Sequence, residues 1–153
     1  MNNKTEQIPE IIDNLRRVFH AIQEYSRAAE RETSLTGPQL WALKILAGAA
    51  PLRVTELARH MYLRPATVVG ILDRLEAKGL VARNRCKEDR RAVDLELTDL
   101  GKEVVAGSPE VAQVTLLKGL EALPDPEFDC VLRGMQHMVR ILGAEKMAPL
   151  PLG

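Results

Sequence analysis

Basic side chains cluster in one short stretch of the sequence, where they could bind the phosphates of a polyanion. This stretch contains Arg85, Lys87, Arg90 and Arg91. From Arg53 to Arg91 there are ten Lys and Arg against five Asp and Glu, a net charge of +5. From Ala92 onwards five basic residues stand against ten acidic ones, a net charge of −5. The neutral chain is therefore polarised, and a nucleic-acid duplex would meet the local positive charge.

Two short helices are predicted before the basic stretch, in the spacing of a helix-turn-helix. The first follows from apolar residues at i, i+3, i+4 and i+7, namely Val54, Leu57, Ala58 and Met61. The second begins at Pro65, ends at Lys78 with Gly79 as its stop, and buries Val68, Ile71, Leu72 and Leu75. Its opposite face has mostly short side chains with arginines at the margins: Arg64, Pro65, Ala66, Thr67, Val69, Gly70 and Arg74. Such a face lets a helix lie deep in a groove.

Two strands are predicted next, at 80–84 and 92–97, and residues 85–91 form the loop between them. Val93, Leu95 and Leu97 alternate with polar residues, a period of two that buries one face of the second strand. The loop is too polar to pack, so we expect it to protrude.

Long helices are predicted on both sides of this unit. The first, from about residue 8 to 31 with Pro9 in its first turn, has a heptad-like seam of Ile11, Leu15, Val18, Ile22, Tyr25 and Ala29. Thr36 and Gln39 form a capping box for a second helix, with Leu35 and Leu40 as its hydrophobic staple.

A helix at about 99–120 is expected to kink near Gly107, because Pro109 lies inside it. The last helix begins with Asp125 as N-cap, stops at Gly143 and precedes a loose tail, 147–153. Its apolar face comprises Phe128, Val131, Leu132, Met135, Met138, Val139 and Leu142.

Composition excludes several classes of protein. The chain has 153 residues, 46% of them hydrophobic, which fits one globular domain rather than a disordered chain. Neither a membrane-length apolar run nor a signal-peptide pattern is found, so a cytoplasmic protein without membrane contact is expected. The two cysteines lack metal-ligand spacing, as do His20, His60 and His137, and no catalytic motif stands out. We therefore expect neither an enzyme, a metal site nor a cofactor.

Residues 35–101 resemble the MarR family of bacterial transcription regulators. The matching segments, in order, are Glu56–Ala58, Thr67–Val69, Leu72–Glu76, Lys78–Arg83, Asp89–Arg91 and Leu97–Gly101. The resemblance implies a mainly α, winged helix-turn-helix fold with a two- to three-stranded antiparallel wing. It also implies a single domain in which helices at 1–34 and 108–146 form a homodimer and 35–107 forms the DNA-binding region and connecting helix. The implied function is repression at a palindromic operator on double-stranded DNA, released by a small aromatic or phenolic ligand.

Within this scheme the second helix of the motif would enter the major groove. Arg64 and Thr67 are the candidates for base-edge hydrogen bonds, Ala66 and Val69 could touch thymine methyl groups, and Arg74 would meet a phosphate. The alternative is that Arg64 and Arg74 are only solvated surface charges.

The wing, which comprises the two strands and their loop, would be the second contact, through Arg83, Arg85, Lys87, Asp89, Arg90 and Arg91. Either Arg90 or Arg91 would enter a narrow minor groove, and the pattern leaves open which one does. Asp89 would hold one guanidinium in a bidentate pair. The alternative is a solvated turn.

Three further hypotheses concern regulation and partners. Phe19, Tyr25 and Trp41 could line a ligand pocket where the first, second and fifth helices meet the winged unit, although each is equally well explained as core. Cys86 lies between Arg85 and Lys87, which favour its thiolate form and would permit a redox switch on the loop. A winged-helix module that binds protein is the other alternative, and it requires an apolar outer face on the recognition helix.

Overall fold

The computed structural model describes residues 3–153, and within this range the chain is mainly helical with a small antiparallel sheet. The elements are α1 (Lys4–Thr33), α2 (Gly37–Ala49), α3 (Val54–His60), α4 (Pro65–Ala77), β1 (Val81–Arg85), β2 (Val93–Leu97), α5 (Asp99–Ala106), α6 (Ala112–Ala122) and α7 (Asp125–Ile141). The predicted winged helix-turn-helix fold is confirmed. Over these residues, every helix is too short or too polar to cross a membrane.

Helix α2 is the centre of the core. It packs against α1, α3, α4, α5, α6 and β2, and its residues Leu40, Leu43 and Leu46 are buried. The predicted capping box fixes its start: the Thr36 hydroxyl accepts from the Gln39 N–H at 3.3 Å, and the Gln39 side chain accepts from the Thr36 N–H at 3.1 Å. This arrangement satisfies two N–H groups that a helix start otherwise leaves without partners.

The wing is held to the core by its second strand. β1 and β2 pair antiparallel with Val81 opposite Leu97, and Leu52 adds a one-residue bridge to Leu95. Leu95 is fully buried, whereas Val93 is 39% exposed near the tip of the wing. The prediction that Val93 shares a buried face was therefore wrong, because the hairpin projects beyond the core at that point.

The helix predicted at 99–120 is two helices rather than one kinked helix. α5 stops at Ala106 with Gly107 as C-cap, and α6 begins only at Ala112. Pro109 lacks an N–H for the helical ladder and disfavours helical backbone at the residue before it. The Ser108 hydroxyl bonds the Val105 carbonyl at 2.7 Å and so satisfies one carbonyl at the end of α5.

Three smaller predictions at the helix ends were also wrong. α1 begins at Lys4, so Pro9 lies inside the helix rather than in its first turn. The N-cap of α7 is Pro124, one residue before the predicted Asp125, while Gly143 follows the helix at a φ of 65° as expected. The tail is not loose, because the carbonyl of Leu152 accepts a 2.7 Å hydrogen bond from Gln113 of α6.

Candidate nucleic-acid interface

Helix α4 presents its predicted outer face to solvent. Its inner stripe of Val68, Ile71, Leu72 and Leu75 is buried against α2, α3 and β1. The outer residues Arg64, Pro65, Ala66, Val69, Gly70 and Arg74 are exposed, and Thr67 is half-buried. Arg64 is the N-cap and Pro65 stands in the first turn, so the arginine lies at the positive end of the helix dipole. The helix therefore offers its first turn and one shallow face to a partner.

Gly70 lies on that outer face, in the interior of α4. A Cβ added there would meet no atom within 4 Å. Packing within the chain therefore does not require a glycine at this position, although glycine costs a helix interior about 1 kcal/mol relative to alanine. A close approach by another molecule is a physical reason to lack a side chain there.

The end of α4 is joined tightly to the wing and to α5. Gly79, at a φ of 72°, and Leu80 donate to the carbonyls of Glu76 and Leu75 at 2.9 and 3.0 Å, which is a Schellman motif. The Thr98 hydroxyl then donates to the Gly79 carbonyl at 2.6 Å and accepts from the Gly101 N–H at 3.1 Å. These bonds fix the position of the wing relative to α4.

Asp89 organises the loop of the wing through its backbone contacts. Its carboxylate accepts from the Arg91 N–H at 3.0 Å, its carbonyl accepts from the Ala92 N–H at 3.0 Å, and Cys86 donates to the Ala92 carbonyl at 2.9 Å. The predicted bidentate pair between Asp89 and a guanidinium is therefore absent from this structure. Both Arg90 and Arg91 are exposed, and among residues 3–153 neither side chain forms an ion pair.

Arg83 differs from the other predicted wing contacts. Its Nη2 lies 2.6 Å from Oδ1 of Asp73, and its Nε lies 3.0 Å from Oε2 of Glu76. Two carboxylates of α4 thus neutralise this guanidinium and tie β1 to α4. These two ion pairs favour a role for Arg83 in positioning the wing, and direct contact of Arg83 with DNA stays a prediction. Arg85 and Lys87 are exposed, as a phosphate contact requires.

A cavity of about 220 Å³ lies between α2, α6, the turn before α4 and the segment after α7, and we call it the cavity behind the helix-turn-helix. Its walls are Pro38 and Trp41 of α2, Met61, Tyr62 and Leu63 of the turn before α4, Gln113, Leu116 and Leu117 of α6, and Pro149, Leu150, Pro151 and Leu152 after α7. None of these side chains is charged. Tyr62 holds a φ of 54°, a left-handed conformation that is rare for an aromatic residue.

The three predicted pocket residues do not converge. Trp41 lines the cavity, but Phe19 lies over a separate depression beside residues 151–153, and 59% of it is exposed. Tyr25 is half-buried on α1 and lines neither. Phe19 and Tyr25 therefore do not line the cavity that Trp41 lines, and their part in a ligand pocket stays a prediction. Sequence reasoning missed the turn at Tyr62 and the tail, although the repeated Pro-Leu pairs at 149–152 signalled an apolar segment.

The cysteines, the possible metal ligands and the protein-binding alternative find less support in the structure. Cys86 is half-buried at the base of the loop and Cys130 is exposed on α7, and neither forms a disulfide. Within the described range 3–153, no group of three or more His, Cys, Asp or Glu could hold a metal ion. The outer face of α4 carries Arg64 and Arg74, and Val69 is its one large aliphatic side chain, so it lacks the apolar surface that a protein-binding module requires.

Comparison with known proteins gives evidence on the family of this chain that does not depend on the geometry of the site. The model of the MarR family matches residues 35–93. The HTH-type transcriptional repressor MdtR of Bacillus subtilis (strain 168) is 35% identical over 111 residues, which cover 70% of this chain and 72% of MdtR.

Solved structures with the same fold include two that hold ligands or DNA. A MepR-like protein complexed with pseudoligands is 31% identical, with a TM-score of 0.60 over 89% of this chain and 96% of that chain. A MepR mutant from S. aureus bound to an oligodeoxyribonucleotide is 21% identical, with a TM-score of 0.55 over 86% of this chain and 97% of that chain. At 21% identity, the similarity to the MepR mutant is evidence for the fold alone.

Proposed function

The chain belongs to the MarR family of transcription regulators, and on that premise we propose that it is a cytoplasmic, homodimeric repressor that binds a palindromic operator. It is a regulator and not an enzyme. A small aromatic ligand would release it from DNA. The repressive mode is proposed by analogy with the relative MdtR, which is named a repressor.

The observation that carries this proposal is the pairing of two exposed cationic surfaces on one rigid unit. The outer face of α4 has short side chains between Arg64 and Arg74, and the loop beyond it presents Arg90 and Arg91. The outer face of α4 suits contact with base edges in the major groove. The arginines of the loop suit the negative potential of a narrow minor groove. In a two-fold dimer, paired recognition helices would lie about 34 Å apart, one turn of DNA.

Uncovered apolar faces on α1 and α7 support the dimer. In α1, Ile11 and Val18 are each 53% exposed, whereas Ala29, further along the same seam, is buried against the chain itself. In α7 no residue is buried, and six side chains of its predicted apolar face are at least one-third exposed: Phe128, Val131, Leu132, Met135, Val139 and Leu142. Contiguous faces of this kind mark sites where another chain packs. A second copy of this chain, with the same two faces, would cover the apolar faces of α1 and α7.

The cavity behind the helix-turn-helix supports a ligand that is aromatic and uncharged. Apolar cavities of roughly 150 Å³ hold benzene, and this one is larger, at about 220 Å³. Burying a charge without a partner is costly, so a cavity that lacks charged walls disfavours a carboxylate ligand. Tyr62 lies two residues before Arg64, and a ligand that moves this turn would therefore shift the start of α4.

The test is the salt dependence of DNA binding by the Arg90→Ala/Arg91→Ala variant. Fluorescence anisotropy with operator fragments should show weaker binding and a flatter slope of log K against log salt. Each phosphate that the protein no longer neutralises reduces the slope by about 0.9, so the four arginines of a dimer set an upper limit of about 3.6. Arg133→Ala/Arg140→Ala is the matched control, because these exposed arginines lie on the face of α7 away from its apolar side chains. Equal slopes in both variants would overturn the assignment of the wing.

A further inference from the structure

The segment after α7 returns across the molecule and lies against three helices. Leu152 approaches the start of α2 and the N-terminal turn of α6, and residues 151–153 border α1 at Ile22 and Ser26. Together, residues 149–152 supply four of the twelve side chains that line the cavity behind the helix-turn-helix. The cavity therefore has a wall that belongs to neither the core nor the winged unit.

We propose that residues Pro149–Leu152 form a strap that closes the ligand cavity and holds the ligand against the turn at Tyr62. This inference rests on the ligand response proposed above, and it names the segment that determines which ligand fits. Occupancy of the cavity and docking of the strap are then coupled, because each provides a surface for the other.

The strap is attached by a hydrogen bond to a buried group. Gln113 is only 7% exposed, and its Nε2 donates to the carbonyl of Leu152 at 2.7 Å. A buried amide without a partner is unfavourable, so this bond selects the docked position. Two prolines within four residues also restrict the backbone of the strap, which lowers the entropy cost of docking.

The strap is nevertheless only partly buried, which suits a wall that responds to ligand. Leu150 is 78% exposed and Leu152 is 45% exposed, although both border the apolar cavity. An uncharged aromatic molecule in the cavity would cover apolar surface of the strap and of Trp41 at the same time. Burial of apolar surface is favourable in proportion to its area, so ligand binding stabilises the closed strap.

The only tryptophan of the chain provides the readout. Trp41 lines the cavity and is 7% exposed with the strap in place. In a chain that ends at Ala148, acrylamide quenching of Trp41 fluorescence should increase at least twofold. In the same chain, calorimetric titration with 2-naphthol should give a Kd at least tenfold weaker than that of the full chain. The charged analogue 2-naphthoate should bind the full chain more weakly than 2-naphthol does.

Leu150→Ser tests the wall without shortening the chain, and Met147→Ser is its matched control. Both side chains are strongly exposed, at 78% and 72%, but only Leu150 borders the cavity. Leu150→Ser should weaken 2-naphthol binding at least threefold, and Met147→Ser should leave it unchanged. Circular dichroism verifies that each variant is folded.

The outcomes separate the strap from the proposed function. If quenching of Trp41 is the same in the full chain and in the chain ending at Ala148, the strap does not close the cavity and the inference is overturned. If quenching increases but neither chain binds 2-naphthol, the strap stands and the proposed ligand class fails. DNA binding by the full chain without ligand tests the proposed regulator independently of both.

Discussion

Replacing Gly70 with alanine should raise the stability of the protein and lower its affinity for DNA. The added methyl group meets nothing within 4 Å, so it creates no clash inside the chain. Alanine in place of glycine in a helix interior stabilises by up to about 1 kcal/mol. For a chain of this length the melting temperature should then rise by about 2–4 °C.

The effect on DNA binding has the opposite sign, because the same methyl group lies between Ala66 and Arg74 on the face proposed to enter the major groove. An extra methyl group in a close-packed contact costs about 1–3 kcal/mol, which corresponds to roughly 5- to 150-fold weaker binding. Thermal unfolding followed by circular dichroism measures the first effect. Fluorescence anisotropy with operator fragments at fixed salt measures the second.

Gly119→Ala is the matched control, because Gly119 also lies inside a helix, α6, with nothing within 4 Å of an added Cβ. It should increase stability similarly and leave DNA affinity unaltered. If Gly70→Ala is more stable yet binds operator DNA within twofold of the original chain, the outer face of α4 does not enter the groove and the reasoning is refuted.

Three further predictions concern stability and assembly. Gly101→Ala should destabilise by about 1–3 kcal/mol in denaturant unfolding, because its Cβ would collide with the Leu80 carbonyl; an unchanged midpoint would contradict the close packing of α5 on the wing. Thr36→Ala should cost about 1 kcal/mol through loss of the capping box, measured in the same way, and Thr36→Ser should retain most of it. Met135→Glu should convert the proposed dimer to monomers in sedimentation velocity, while Arg133→Glu, on the opposite face of α7, should not; a dimeric Met135→Glu chain would exclude α7 from the interface.

Local sequence signals predicted the winged unit well. The Thr36 and Gln39 capping box, the Gly79 stop and the buried stripe of α4 each depend on neighbouring residues, so their spacing alone specifies them. The exposure of Arg90 and Arg91 followed from the polarity of their loop. These features required no knowledge of distant contacts.

Features that depend on distant parts of the chain could not be predicted in this way. The two carboxylates that neutralise Arg83 come from α4, ten and seven residues earlier in the sequence, and nothing in the pattern of strand β1 itself indicates them. The docking of Leu152 on Gln113 joins residues 39 apart. Pro109 signalled a disturbance, but whether a helix bends or stops there depends on the tertiary packing of both halves. The cavity lined by Trp41 is built from such distant contacts, which explains why only Trp41 was identified in advance.

The most direct test of the central claim is selection of DNA by the purified full chain from sheared fragments of the genome that encodes it. The fragments should be enriched in an inverted repeat whose half-site centres lie about one helical turn apart. An Arg64→Ala/Arg90→Ala/Arg91→Ala variant should lose this enrichment. If the full chain retains fragments no differently from the input DNA, or if the variant selects the same sequences equally well, then α4 and the wing do not bind an operator as proposed.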